Sequence, residues 1–326
     1  MPVTVTLFKI IDKVFYKPFN SHVRYPEVKL AAEDVIYDQN APEACKLDIY
    51  KKDGIQGKLP VFFNIHGGGF TAGDKKYRVS YSEIIGNRGW AVVQINHGLC
   101  PEYVFPSFVQ QAVKALNFII DRADEYGLDS DKIVVSGDSA GAYMASMLLA
   151  ICYDDNLRET LGCEKIKKDI FGGALFCGPY DAGAALSAKM PFNFGFRLGR
   201  DITGVNPFNL KTFKDYKYYN ELSTINAANA KWPAMFVAHT HNDIFCNGQG
   251  DLMVKKLRDF GVPVREVIAD KDMHVWHLAA HKPRAKACNE EAFRYLDDML
   301  AGKVTADSQS TLIIPKRKEP YFKKLG

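Results

Sequence analysis

Two kinds of apolar pattern alternate along the chain. Short runs rich in consecutive Val, Ile, Leu and Phe are separated by stretches in which apolar residues return every three or four positions. Runs of the first kind fit strands buried on both faces, and stretches of the second kind fit helices with one buried side. This reading places strands at 34–38, 46–51, 59–65, 90–96, 132–137, 171–177, 234–239 and 263–269. It places helices near 77–88, 107–125, 140–153, 247–260 and 280–300. Strand and helix in alternation predict an α/β fold, with a mostly parallel eight-stranded sheet and helices on both faces.

Three segments depart from that rhythm. Residues 182–231 carry Phe192, Phe194, Phe196, Phe208, Phe213, Tyr216, Tyr218 and Tyr219 among Gly and Asn. A long insert between two strands is often a lid, so this stretch is expected to cap the sheet, with most aromatics burying one another and a minority lining a pocket. Near the N-terminus, Leu7, Phe8, Ile11, Val14 and Phe15 fall at helical spacing. Such a helix suits either a membrane surface or a position over a site, and the second is the expectation. A cap that closes in this way is expected to leave no broad apolar platform exposed. The tail beyond Gly302, with Lys316-Arg317-Lys318 and Lys323-Lys324, is expected to be a loosely ordered, solvated end. The organisation is therefore a helical cap segment at 1–30, a catalytic domain at 31–300 interrupted by the cap insertion, and a basic tail at 301–326.

Composition narrows the class. Of 326 residues, 47% are hydrophobic, ample for a large buried core. The formal charge of +4 is too small to argue for nucleic acid. No apolar run approaches the roughly 18 residues of a membrane span, and residues 1–19 do not have the pattern of a signal peptide. Seven dispersed cysteines without a C-x-x-C pair point to free thiols in a reducing, cytoplasmic compartment. Self-association is left open.

The chemistry is concentrated at two turns. The run Ile133 to Ser136 ends in Gly137-Asp138-Ser139-Ala140-Gly141, and an Ala/Met/Leu-rich helix follows. A G-x-S-x-G turn between strand and helix lifts the serine hydroxyl clear of the sheet and points a helix N-terminus at it, the setting of a nucleophile. The strand 59–65 ends in His66-Gly67-Gly68-Gly69-Phe70. Consecutive glycines let several N–H groups face one concavity, and the amides of Gly68, Gly69 and Ala140 would form an oxyanion hole. A phosphate loop would want a Lys-Ser/Thr pair or a G-x-G-x-x-G, and neither is present.

H-G-G-G-F followed about seventy residues later by G-D-S-A-G resembles the hormone-sensitive-lipase-like carboxylesterases of the α/β-hydrolase fold. The resemblance extends to Asn96-His97-Gly98-Leu99-Cys100-Pro101-Glu102 with Phe105-Pro106, and to Asp129 through Ile133, and covers roughly residues 45 to 300. The family's usual Tyr-Arg pair is His97-Gly98 here, and its second glycine after the nucleophile motif is Ala142. In this fold the acid follows the serine and the histidine comes last. Asp243 stands after the strand 234–239, and His274 stands in the loop after the strand 263–269. The resemblance thus implies a Ser139, Asp243, His274 triad. His277 is the rival base; Asp270 and Asp272 are rival acids, read as solvated turn residues. His239-x-His241-x-Asp243 opens like a dinuclear metal motif, but Ile244 stands where that motif needs a histidine. Asp138, His66 and Glu102 are expected to hold structure together by hydrogen bonds.

The expectation is a serine carboxylesterase acting on short-acyl or aryl esters through an acyl-enzyme, needing neither metal nor organic cofactor. Acetyl or feruloyl esters of plant-polysaccharide fragments are the alternative substrates, amide hydrolysis is an alternative reaction, and a non-catalytic small-molecule receptor is the alternative from another class.

Overall fold

The computed structural model of the chain describes residues 2–20, 24–187, 193–206, 208–209 and 211–316. Phe192, the side chain of Phe15, and the basic residues 317–318 and 323–324 lie outside what is described. Nine strands form one sheet: β1 (Val28–Ile36), β2 (Lys46–Lys52), β3 (Leu59–Ile65), β4 (Ala91–Ile95), β5 (Leu128–Asp138), β6 (Gly172–Phe176), β7 (Met235–Thr240), β8 (Val264–Ala269) and β9 (Ser310–Ile314). Their order is β1-β2-β4-β3-β5-β6-β7-β8-β9. The first two pairings are antiparallel and the rest are parallel. All eight expected strands are present.

Both faces of the sheet are covered, as the apolar runs require. Along β3, Val61, Phe63 and Ile65 point to one face, where α3 (Ser107–Asp121), α5 (Ala140–Tyr153) and α10 (Gln249–Asp259) bring Phe108, Leu116, Met144, Leu148, Met253 and Leu257. Phe62 points the other way, toward α2 (Val79–Asn87) and α11 (Pro283–Leu300), which bring Tyr81, Ile85, Phe293 and Leu296. The remaining helices are α1 (Val3–Asn20), α4 (Ala123–Tyr126), α6 (Asp155–Thr160), α7 (Ala182–Ser187), α8 (Phe194–Thr203) and α9 (Thr224–Ala227).

The insert 182–231 contributes α7, α8 and α9. Its aromatics pack mainly on one another: Phe208 on Phe213 at 5.0 Å between ring centres, and Phe213 on Tyr219 at 5.0 Å. Helix α1 lies against the insert: the Thr4 hydroxyl donates to the Asp201 carboxylate of α8, and Phe8 meets Phe194 edge-on at 5.5 Å.

Two expectations are corrected. The tail is ordered at 310–314, where β9 pairs in parallel with β8; Thr311 donates to Glu266 and Arg258 donates to the Ser310 carbonyl. This strand has only Ile314 buried, so it carries no apolar run to read. The boundary anticipated at residue 30 falls inside β1, which is already paired at Val28. The outer side of α1 leaves Val3, Leu7, Ile10 and Val14 exposed as a narrow strip.

Candidate active site

Ser139 sits at the end of β5 with φ +54° and ψ −120°, a strained conformation for a residue with a Cβ. The surrounding glycines make the turn possible. A Cβ on Gly141 would lie 2.0 Å from the Ile65 carbonyl oxygen, so only glycine lets α5 start this close to β3. The Ser139 N–H donates to the Phe176 carbonyl at 2.8 Å and ties the turn to β6.

The glycine loop faces the same point. Gly68 and Gly69 both have positive φ, +137° and +59°, and the N–H groups of Thr71 and Ala72 close the loop onto the Gly68 carbonyl. A Cβ on Gly69 would strike the Phe8 ring at 2.1 Å, so α1 rests directly on this loop. The N–H groups of Gly68, Gly69 and Ala140 have no acceptor among the described residues, and all three residues line cavities that also contain Ser139. His66 braces the loop: its Nδ1 is 2.9 Å from the Gly67 carbonyl, and its ring stacks on His97 at 4.9 Å. Burial holds both rings neutral, lowering His66 and taking His97 down to about 3.

Asp243 and His274 come together across two loops. His274 Nδ1 is 2.8 Å from Asp243 Oδ2, while Asp243 Oδ1 accepts from the N–H groups of Phe245 (2.8 Å) and Cys246 (3.0 Å). Burial raises the Asp243 carboxyl, but the His274 imidazole and these donors outweigh it and leave it below the ordinary range. His274 Nε2 is buried, has no partner among the described residues, and His274 lines a cavity with Ser139.

The rivals go elsewhere. His277 is buried in the core, stacked on Phe176 at 4.0 Å, and burial takes it down to about 3. Asp270 is partly exposed. Asp272 is corrected: its side chain is fully buried and lies 3.1 Å from Arg284, because the loop folds back under α11. Glu102 is also corrected: with Pro101 it is exposed at the tip of its turn, between the buried Cys100 and Phe105, and it makes no hydrogen bond or ion pair among the described residues. Asp138 does hold structure: it takes Arg78 through two contacts of 2.7 Å, Nε to Oδ1 and NH2 to Oδ2.

Two groups of possible metal donors occur among the described residues. In one, His239 Nε2 is bonded to Glu266 at 2.8 Å, and Glu266 also receives Arg258 and Thr311, so its lone pairs are already engaged. In the other, Cys177 lies by Asp243 and His274, and those two already bond to each other at 2.8 Å. His241 is half-exposed and joins neither group.

Ser139 stands between two cavities. One, of about 60 Å³, is apolar and bounded by Tyr143, Leu186, Phe194, Leu198 and Phe245. The other, of about 380 Å³, is walled mostly by apolar groups, among them Ile11, Ile244, Phe245 and Met273, with His274, Asp12, Arg78, Asp138 and Asn242 set into that wall. Asp12 and Arg78 were not singled out from sequence. Asp12 is the only acid in α1, four residues after Phe8 and so on the same inward side, which is the signal that could have found it. Burial raises the Asp12 carboxyl to about 6, against the opposing pull of Arg78 and the Gly73 N–H.

The family model described as BD-FAE matches residues 47–257, well over half of the chain. A probable carboxylic ester hydrolase of Mycobacterium tuberculosis, LipM, is 27% identical over 213 residues, 64% of this chain and 47% of that protein. Esterase LipQ of the same organism is 26% identical over 250 residues, 74% of this chain and 56% of that protein. The chain thus spans about half the length of these curated relatives. Among solved structures, an inhibited esterase B of Lactobacillus rhamnosis superposes with a TM-score of 0.80 at 20% identity, covering 92% of this chain and 96% of that one. The esterase of Pyrobaculum calidifontis superposes at 0.67, also at 20% identity, covering 92% and 93%. The chain has the α/β-hydrolase fold and belongs to the BD-FAE family.

Proposed function

We propose that the protein is a carboxylic ester hydrolase that works through an acyl-enzyme on Ser139. The observation that carries this reading is the His274–Asp243 hydrogen bond of 2.8 Å, with His274 Nε2 buried, unpartnered among the described residues, and on a cavity shared with Ser139. His274 Nε2 takes the Ser139 proton as the oxygen attacks the ester carbonyl. Asp243 keeps the proton of the resting imidazole on Nδ1 and balances the imidazolium that forms. The amides of Gly68, Gly69 and Ala140 receive the oxyanion, and His274 then gives its proton to the leaving alcohol. Water repeats the sequence on the acyl-serine and releases the acid. The names of the relatives LipM and LipQ support ester hydrolysis.

The two cavities support a division of the substrate. An apolar space of about 60 Å³ suits an acyl group of about two to six carbons and is far below the roughly 300–1,000 Å³ of drug-sized sites. It leaves little room for a feruloyl ring. The larger cavity of about 380 Å³ suits the alcohol: its mostly apolar wall fits an alkyl or aryl alcohol, while the Asp12 carboxyl and the Asn242 amide are the groups that a second reading, a hydroxylated sugar, would use. Hydrolysis of p-nitrophenyl esters from acetate to decanoate, beside acetylated sugar oligomers, tests both. The proposal expects kcat/KM to peak at short acyl chains. A maximum at decanoate would refute the division, and a strong preference for the sugar acetates would select the second reading.

A further inference from the structure

Helix α1 has two apolar sides, and only one of them is used by the site. Inward, Thr4, Val5 and Phe8 are buried, and Asp12 lines the larger cavity. Outward, Val3 (54%), Leu7 (39%), Ile10 (55%) and Val14 (60%) are exposed. These are four of the thirteen large apolar residues that the described surface exposes. At about 100° per residue the four fall within about 60° of the circumference, in a strip about 16 Å long. Lys9 and Lys13, both exposed, run along one flank, and Lys17 follows at the same spacing in the sequence. The helix's only acid faces inward, so the outward side presents apolar groups, the exposed Thr6 and positive charge, with no carboxylate.

We propose that this outward side of α1 docks the protein on an anionic lipid surface. The combination is that of a helix lying in the plane of the interface: apolar side chains enter the acyl boundary while the adjoining lysines meet the headgroups. The area argues against a second copy as the occupant. A strip about 16 Å long and one side chain wide offers about 150–200 Å², whereas a stable protein pair buries about 800 Å² per partner. Two such strips would also bring their lysine rows, of one sign, toward each other. The inner side of the same helix rests on Gly69 through Phe8, so docking brings the candidate active site beside the lipid.

The test reads binding, not ester hydrolysis, and so stands apart from the functional proposal. The full chain is co-sedimented with phosphatidylcholine vesicles and with vesicles that also contain phosphatidylglycerol, at low and high salt. Binding is expected to the anionic vesicles and to fall at high salt. Lys9→Glu with Lys13→Glu should weaken it by more than about tenfold. Leu7→Gln with Ile10→Gln should abolish it, while both double variants keep the wild-type melting temperature. The proposal is overturned if the wild type ignores anionic vesicles, if it binds both kinds equally regardless of salt, or if it sediments as a dimer that Leu7→Gln with Ile10→Gln converts to monomer.

Discussion

Asp243→Asn isolates the proposed role of the acid with little change of shape. The Asp243 side chain is 1% exposed, and Oδ1 already accepts from two backbone N–H groups, those of Phe245 and Cys246. An asparagine must therefore keep its carbonyl oxygen at Oδ1, since an amide nitrogen there would face two donors. Its NH2 group then occupies the Oδ2 position, 2.8 Å from His274 Nδ1. Facing a donor, Nδ1 has to become the acceptor, which places the ring proton on Nε2. That tautomer cannot take the Ser139 proton. Loss of the correct tautomer by this same substitution in another triad lowers kcat by about 10⁴-fold, equal to about 5.4 kcal/mol of barrier. The assay is steady-state hydrolysis of p-nitrophenyl acetate, with thermal melting to verify the fold. The expected result is a loss in kcat of that order with little change in KM. A kcat within tenfold of wild type would refute the assignment, as would an equal loss on Asp270→Asn.

Removing Arg78 while Asp138 stays leaves a buried carboxylate without its partner, so Arg78→Ala should lower unfolding free energy by about 3–5 kcal/mol in denaturant titration; a loss under about 1 kcal/mol would contradict the pairing. Asp12 gives a pH signature. Its folded carboxyl, at about 6, holds a proton more tightly than the ordinary 3.8, so its contribution to stability falls as pH rises from about 4 to about 6 and is level above. Asp12→Asn should therefore gain stability relative to wild type across that window, read as the difference in melting temperature, and a difference that stays flat would refute the burial of a titrating group there.

The parts of this molecule that sequence made legible are those whose physics is local. Ser139 and the Gly68–Gly69 loop are readable because a turn this tight, with a Cβ on Gly141 only 2.0 Å from a carbonyl, admits few other residues. Strands β2 to β8 are readable because burial demands continuous apolar runs, whereas β1, with Val28 alone fully buried, meets its expected stretch only at residues 34–36. Asp243 and His274, 31 positions apart, needed the chain order of a known fold, and their 2.8 Å contact appears only once β7 and β8 are adjacent. Arg78 and Asp138 are 60 positions apart, and nothing in the pattern around either points to the other. The strand β9 was hidden because an edge strand with one buried residue reads as solvated chain. The two sides of α1 were merged for a related reason: Leu7 and Phe8 both count as apolar in a periodicity, although one is exposed and the other buried against the loop.

The central claim is that Ser139 is the nucleophile, and active-site labelling tests it most directly. The protein is treated with a fluorophosphonate, digested, and the modified peptide is identified by mass spectrometry, with Ser139→Ala carried alongside. The account predicts one phosphonylated residue, Ser139, with hydrolysis of p-nitrophenyl acetate abolished in step with labelling. It predicts that Ser139→Ala folds, takes no label and has lost nearly all hydrolysis. A label on any other residue, or an alanine variant that still turns over the ester at the wild-type rate, would contradict it.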